Sequence, residues 1–207
     1  MNKYDFILAG VGGQGTILLG DLIGEAGIAA GYDVKKSDVL GMSQRGGNVV
    51  SYVRMAEKIY APLPKKGDVD FVVSLEVMEA SRWVQHLRPG GTAIVNHHRI
   101  FPLSVSSGFE SYPSNEKVES LLRSKTDRVF FVEGTAIAGE LRNPRVVNVV
   151  VLGFLSTMLP IEESIWKSVV AKRVPPGYID LNLDAFERGK AEAVAAFSKP
   201  AKQVELG

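Results

Sequence analysis

Apolar and polar positions fall into short blocks whose spacing switches between strand-like and helix-like periods. Tyr4-Asp5-Phe6-Ile7-Leu8-Ala9 is a brief apolar run closed by glycine, the pattern of a buried strand. From Gln14 to Ala30, the residues Ile17, Leu18, Leu22, Ile23, Ala26 and Ala30 recur at helical spacing, and Gly31 supplies a stop. A second strand is expected over Tyr32 to Lys36 and a third over Asn48 to Met55, with a polar, glycine-containing loop from Gly41 to Gly47 between them. Asp70 to Leu75 reads as a buried strand. It leads into a helix with Val77, Ala80, Trp83, Val84 and Leu87 on its inner face, ended by Pro89-Gly90-Gly91, and Thr92 to Asn96 is the next strand.

Between Phe101 and Ser114 the serine, glycine and proline signals predict a loop or short edge strand. Asn115 to Ser124 reads as helix and Arg128 to Val132 as strand. Val146 to Met158 reads as a buried helix without a polar face, and two further helices are expected over Glu162 to Lys172 and Leu183 to Phe197. Residues 198–207 form a polar tail expected to fray. Strands alternating with helices predict an α/β domain over residues 1–197, with an open, mainly parallel sheet covered on both faces. In such sheets ligands bind beyond the carboxyl ends of the strands.

Composition narrows the function classes. The 207 residues are 45% hydrophobic and 23% charged, enough apolar content for a sizeable core and too much for a disordered chain. Lysine plus arginine (24) balances aspartate plus glutamate (23), so the basic excess of a nucleic-acid binder is missing. There is no cysteine, which excludes disulfides, a thiolate nucleophile and a cysteine-held iron–sulfur cluster. Three histidines, His86, His97 and His98, offer little for a metal site. An early acid, Asp5, and a glycine cluster argue against a secretory signal, and the apolar stretch from Val146 to Ile161 is too short to span a bilayer. The expectation is a soluble, cytoplasmic protein.

Gly10-Val11-Gly12-Gly13-Gln14-Gly15 satisfies G-x-G-x-x-G directly after a strand and at the opening of a helix. Gly10 permits the turn, Gly12 admits an anion to the backbone, and Gly15 allows close packing, while the helix N-terminus favours phosphate. A dinucleotide site also wants an acid at the end of the second strand. Lys35 and Lys36 stand there, with Asp33 slightly early and Asp38 slightly late. An anion site, a purely structural glycine turn and a dinucleotide site therefore all stay open, in that order. Ser43-Gln44-Arg45-Gly46-Gly47 is a second candidate: its glycines can form a nest of N–H donors beside the bidentate fork of Arg45, or it is a surface turn.

Other features carry less. Glu76 and Glu79 follow a strand, where a helix N-terminus commonly uses an acid. Asn96-His97-His98-Arg99 follows another strand, with no acid nearby in sequence to build a triad. Gly67-Asp68 with Asn96 resembles a magnesium–diphosphate signature of thiamine enzymes, but Val69 replaces its next glycine. Trp83, Trp166 and Tyr178 read as core or interface residues.

Taken together, Gly10 to Gly15, Met42 to Gly47 and Asn182-Leu183-Asp184-Ala185-Phe186 resemble the gamma-type domain of 2-oxoacid:ferredoxin oxidoreductases, the indolepyruvate type most nearly, from Tyr4 to about Phe197. Leu87-Arg88-Pro89-Gly90-Gly91 and Asn148 to Gly153 agree. The resemblance implies a Rossmann-like three-layer domain in a heteromer that oxidatively decarboxylates an aryl pyruvate with coenzyme A and reduces ferredoxin. It also implies an alpha subunit holding thiamine diphosphate and the iron–sulfur clusters, with no cofactor bound by this chain alone. Coenzyme A would then meet Gly12, Gly13, Gln14 and Gly15 together with Ser43, Gln44, Arg45, Gly46 and Gly47. The resemblance assigns no catalytic role to Asn96 to Arg99. Rival readings are a self-sufficient NAD(P)-dependent oxidoreductase, a small-ligand module of the same fold, and a gamma subunit serving another 2-oxoacid. The apolar segment Val146 to Met158 predicts exposed surface and self-association of the isolated chain.

Overall fold

A computed structural model describes residues 2–40, 47–101, 105, 107–108 and 111–198. In chain order the elements are β1 (Tyr4–Val11), α1 (Thr16–Ala29), β2 (Asp33–Leu40), β3 (Asn48–Ala56), β4 (Val69–Ser74), α2 (Val77–Trp83), β5 (Leu87–Asn96), α3 (Asn115–Arg123), β6 (Val129–Val132), α4 (Gly134–Glu140), α5 (Val147–Ser156), α6 (Glu163–Arg173) and α7 (Ile179–Phe197). The sheet order is β2-β3-β1-β4-β5-β6. β1, β4, β5 and β6 run parallel, whereas β3 lies antiparallel to both β1 and β2. The α/β, mainly parallel architecture matches the sequence reading.

The strand interiors explain the layers. β4 is buried at all six positions, as a strand covered on both faces must be. Phe6, Leu8, Phe71, Val73 and Ile94 pack under α1, α5, α6 and α7, while Ile7, Val72, Ala93 and Val95 pack under α2 and α3. The two helical layers therefore divide at β1 and β4. α1 leaves β1 toward one face and α2 leaves β4 toward the other.

The structure departs from the sequence reading in three ways. The helix after β4 ends at Trp83, a single 3₁₀ turn covers Val84–His86, and Leu87 already belongs to β5. Pro89-Gly90-Gly91 lies within that strand, where the register with β4 shifts and Gly90 takes φ 72°. α4 falls in a stretch assigned no element, and α7 begins at Ile179 rather than Leu183. The third difference concerns α5. Residues 148–156 are all buried, so Val146 to Met158 is core and supplies no sticky surface. The large exposed apolar side chains, Tyr60 and Val194 among them, belong to other elements.

At the amino ends of β1, β4 and β5 lies a charged web. Asp5, fully buried, receives the Arg54 guanidinium at 2.8 Å and Lys3 at 3.0 Å. Its own amide donates to Asp70 at 2.7 Å, and Asp70 receives Arg88 at 2.6 Å. The web bolts the strand starts together and anchors the 57–68 connection through Arg54, which also donates to the Ala61 and Leu63 carbonyls.

Candidate functional site at the carboxyl edge of the sheet

The glycine loop leaves β1 where the two helical layers divide, the place at which open α/β sheets take ligands. Gly13 and Gly15 adopt φ 100° and 81°, a region that a side chain disfavours. A Cβ on Gly10 would stand 2.5 Å from Thr16 Oγ1, and one on Gly15 would stand 2.5 Å from Asn148 Nδ2. Gly15 is the N-cap of α1 and offers no side-chain acceptor, and the first turn holds no acid. The N–H groups of that turn therefore have no side-chain cap and carry the positive end of the helix dipole. The Thr16 hydroxyl and the Asn148 carbonyl oxygen are buried beside the loop with no partner among the described residues.

Much of the loop's own hydrogen bonding is already committed. Val11 N donates to Gln14 Oε1 at 2.7 Å, Gln14 N donates to the Val11 carbonyl at 3.1 Å, and Gly12 N donates to the Gly47 carbonyl at 2.9 Å. Gly12 therefore serves the junction with the second glycine segment, and the uncapped donors belong to the start of α1. The Gly12–Gly47 bond continues the β1–β3 ladder, in which Val11 faces Asn48. Because β3 is antiparallel, the connection from β2 returns at the same end of the sheet as the glycine loop. Ser43, Gln44, Arg45 and Gly46 lie outside the described residues.

The Leu75 carbonyl, just past β4, is the hub of the edge. It accepts Gln14 Nε2 at 3.0 Å and Asn96 Nδ2 at 3.1 Å. Asn96 Nδ2 also donates to Thr135 Oγ1 at 3.0 Å, and Asn96 Oδ1 accepts the Thr135 amide at 3.1 Å. One fully buried asparagine thus ties the ends of β4 and β5 to the start of α4. The Gln14 side chain bridges the crevice between β1 and β4.

Glu76, fully buried, caps α2 by accepting the Glu79 amide at 2.9 Å. Its other oxygen accepts the Ile100 amide at 3.1 Å and the Tyr112 hydroxyl. Burial, reinforced by that carboxylate, holds the Tyr112 phenol well above its usual range. Burial likewise raises the Glu79 carboxyl, against the pull of Arg82. Beyond β5, His97 Nδ1 lies 2.8 Å from Glu133 Oε1, a pairing of residues 36 apart that the sequence did not reveal.

Two sequence-level possibilities lose their geometry. β3 separates β2 from β1, so the second strand cannot present its end to a ribose beside the glycine loop. Lys36 is held by Asp21 and Asp38, each at 2.8 Å. The thiamine-like residues lie at opposite ends of the sheet: Asp68 precedes β4 and pairs with Lys3, whereas Asn96 ends β5. Two open concavities, about 540 and 500 Å³, share Lys3 and lie at the amino ends of the strands, away from the glycine loop. Much of their charged lining is already tied up in the web described above. Among the described residues, no group of three or more metal-ligating side chains and no helix able to cross a membrane occurs.

A family model described as pyruvate ferredoxin/flavodoxin oxidoreductase matches residues 5–192. The chain is 36% identical over 192 residues to the indolepyruvate oxidoreductase subunit IorB of Thermococcus kodakarensis, covering 91% of this chain and 95% of that one. In structure it resembles the gamma subunit of a keto/oxoacid ferredoxin oxidoreductase from Geobacter sulfurreducens, with TM-score 0.68 at 23% identity over 93% of this chain and 99% of that one. It also resembles 2-oxoglutarate:ferredoxin oxidoreductase from Magnetococcus marinus, solved with 2-oxoglutarate, coenzyme A and succinyl-CoA bound. There the TM-score is 0.73 at 23% identity, over 99% of this chain and 32% of the longer one.

Proposed function

The chain belongs to the pyruvate ferredoxin/flavodoxin oxidoreductase family, and from that premise we propose that it is the small subunit of an indolepyruvate-type 2-oxoacid:ferredoxin oxidoreductase, forming the coenzyme A side of a site completed by a larger subunit. The observation that carries this reading is the Gly12–Gly47 hydrogen bond. It joins both glycine segments at the carboxyl edge, beside the uncapped start of α1. Phosphate oxygens suit uncapped N–H donors at a helix N-terminus, and Arg45, two residues before Gly47, would add a bidentate fork.

This chain's residues do not fit the other cofactors of such a reaction. Decarboxylating a 2-oxoacid needs an electron sink, which thiamine diphosphate supplies, yet the thiamine-like residues here are split between opposite ends of the sheet. Electron transfer to ferredoxin through iron–sulfur clusters needs thiolates, and the sequence has no cysteine. Both functions therefore fall to the partner, with residues 1–197 of this chain acting as one interface-forming domain.

The test is dye reduction with indolepyruvate and coenzyme A by this chain, by a co-expressed cysteine-rich partner and by the two together. Activity in the mixture alone supports the reading. Turnover by this chain alone overturns it, and full turnover by the partner alone removes this chain from the site. An Arg45→Ala complex should show a KM for coenzyme A raised about tenfold or more, the loss of one charge-assisted contact.

A further inference from the structure

His97 and Glu133 form a rigid acid–base pair at the ligand-binding edge. His97 follows β5, and its amide donates to the Val132 carbonyl at 2.8 Å, so the residue extends the β5–β6 pairing rather than hanging on a loop. Its ring lies against Phe131, with centroids 5.9 Å apart. Glu133 follows β6 and is fixed in turn, its amide donating to Glu192 Oε1 at 2.8 Å. Glu133 Oε1 stands 2.8 Å from His97 Nδ1. A carboxylate in that place accepts a hydrogen bond from Nδ1–H, which leaves the lone pair of neutral imidazole on Nε2. The two side chains remain 41% and 55% exposed, so the pair can meet a ligand or a partner subunit's pocket.

An exposed pair of this kind contributes little to stability. Its position offers a different use. His97 is the neighbour of Asn96, which shares the Leu75 carbonyl with Gln14 of the glycine loop. β1 and β5 are separated only by β4, which sets the backbones of the loop and of His97 roughly 10 Å apart along the edge, with the His97 ring turned to the α2–α3 side beside Phe131. A molecule with its phosphates at the start of α1 and a reactive group on an extended arm reaches that distance.

We infer that His97 is the general base for the acyl acceptor, with Glu133 as its positioning residue. This rests on the coenzyme A reading above. In the step, the thiol S–H bond breaks, the proton passes to His97 Nε2, and the electron pair stays on sulfur as thiolate. The imidazolium that forms is stabilised by Glu133 across the Nδ1–H bond. The proton leaves to water once the thiolate is consumed. Glu192 also meets the pair, its carboxylate accepting the Glu133 amide, and His98 and Arg99 follow His97 in the chain.

The test uses the reconstituted complex with indolepyruvate, dye and coenzyme A between pH 6 and pH 10. His97→Gln should lower kcat at pH 7 about 10²-fold or more, the usual worth of a positioned base, with KM for coenzyme A changed less than threefold. Because a free thiol ionises near pKa 8.5, the defect should shrink as pH rises past about 9. Glu133→Gln should give a smaller loss of the same pH form. Desulfo-coenzyme A, which has no thiol, should inhibit the His97→Gln and unaltered complexes equally. A pH-independent loss, or kcat unchanged by His97→Gln, overturns the assignment while leaving the coenzyme A reading intact. An unaltered complex whose turnover ignores coenzyme A overturns both.

Discussion

Gly153 and Gly189 are the reciprocal contact points of the α5–α7 crossing. A Cβ on Gly153 would overlap the Phe186 carbonyl oxygen, and one on Gly189 would overlap the Val150 carbonyl oxygen. In an exposed helix interior, glycine to alanine gains about 1 kcal/mol. Here Gly153→Ala and Gly189→Ala should each lose about 2–4 kcal/mol, because the obstacle is backbone and cannot swing aside. Urea unfolding measures both. The double variant should lose less than the sum, since the first methyl already separates the helices.

Gln14 is expected to matter through both ends of its amide. Gln14→Ala frees the Val11 amide and removes one of two side-chain donors to the Leu75 carbonyl. The expected cost is about 1–3 kcal/mol, read as a lower urea midpoint with unchanged m. Gln14→Glu keeps the acceptor for Val11 but turns an oxygen toward the Leu75 carbonyl, so it should be no more stable than the alanine variant. A fully stable glutamate variant would contradict the bridging geometry.

Tyr112→Phe tests how Ile100 and Tyr112 are held against Glu76. It leaves Glu76 with one fewer donor and the Met78 amide without the acceptor it finds at 3.2 Å. We expect a loss of about 1–3 kcal/mol. Hydrogen exchange at the Ile100 amide should quicken by more than the global change explains, marking its local release.

Two carboxyls give opposite pH signatures. Lys167, followed by Lys190, lowers Glu163 to about 2, so its contribution to stability is present above about 4.5 and is lost as pH falls toward 2. Glu79 is raised by burial, so its contribution is present below about 4.5 and is lost as pH climbs through the folded-state value. Glu163→Gln should flatten the acid limb of thermal melts, and 1 M salt should mimic it because that pair is exposed. Glu79→Gln should instead remove the decline on the other side of pH 4.5, with little response to salt.

The parts of the molecule legible in the sequence are those fixed locally. The β1–glycine loop–α1 unit shows in its glycine spacing and apolar period, and Glu76 caps a helix as its position suggested. β3's direction was not legible, because orientation is set by pairing with strands elsewhere in the chain. α4, Gly134–Glu140, is too short and small-sided to show a period. The unbroken apolar run of α5 suggested surplus surface, whereas the sheet, α1, α4 and α7 enclose it. The amide hub could not be foreseen either, since Gln14 and Asn96 meet Leu75 across 61 and 21 residues. The same holds for Glu133, which reaches His97 only through the β5–β6 pairing.

The sheet divides its fastening between two chemistries. At the amino ends the strands are bolted by ions, with Asp5, Arg54, Asp70 and Arg88 in one web. At the carboxyl ends the join between β1, β4 and β5 is neutral, made of the side-chain amides of Gln14 and Asn96 on a peptide carbonyl. Dissolved ions act on the web only where it meets solvent, at Lys3 and Arg88, and leave the amide contacts almost untouched. The carboxyl edge can therefore keep its shape across the ionic strengths a cell experiences. Counterions then tune the solvent-facing charges at the opposite end, while the amide-joined surface stays constant.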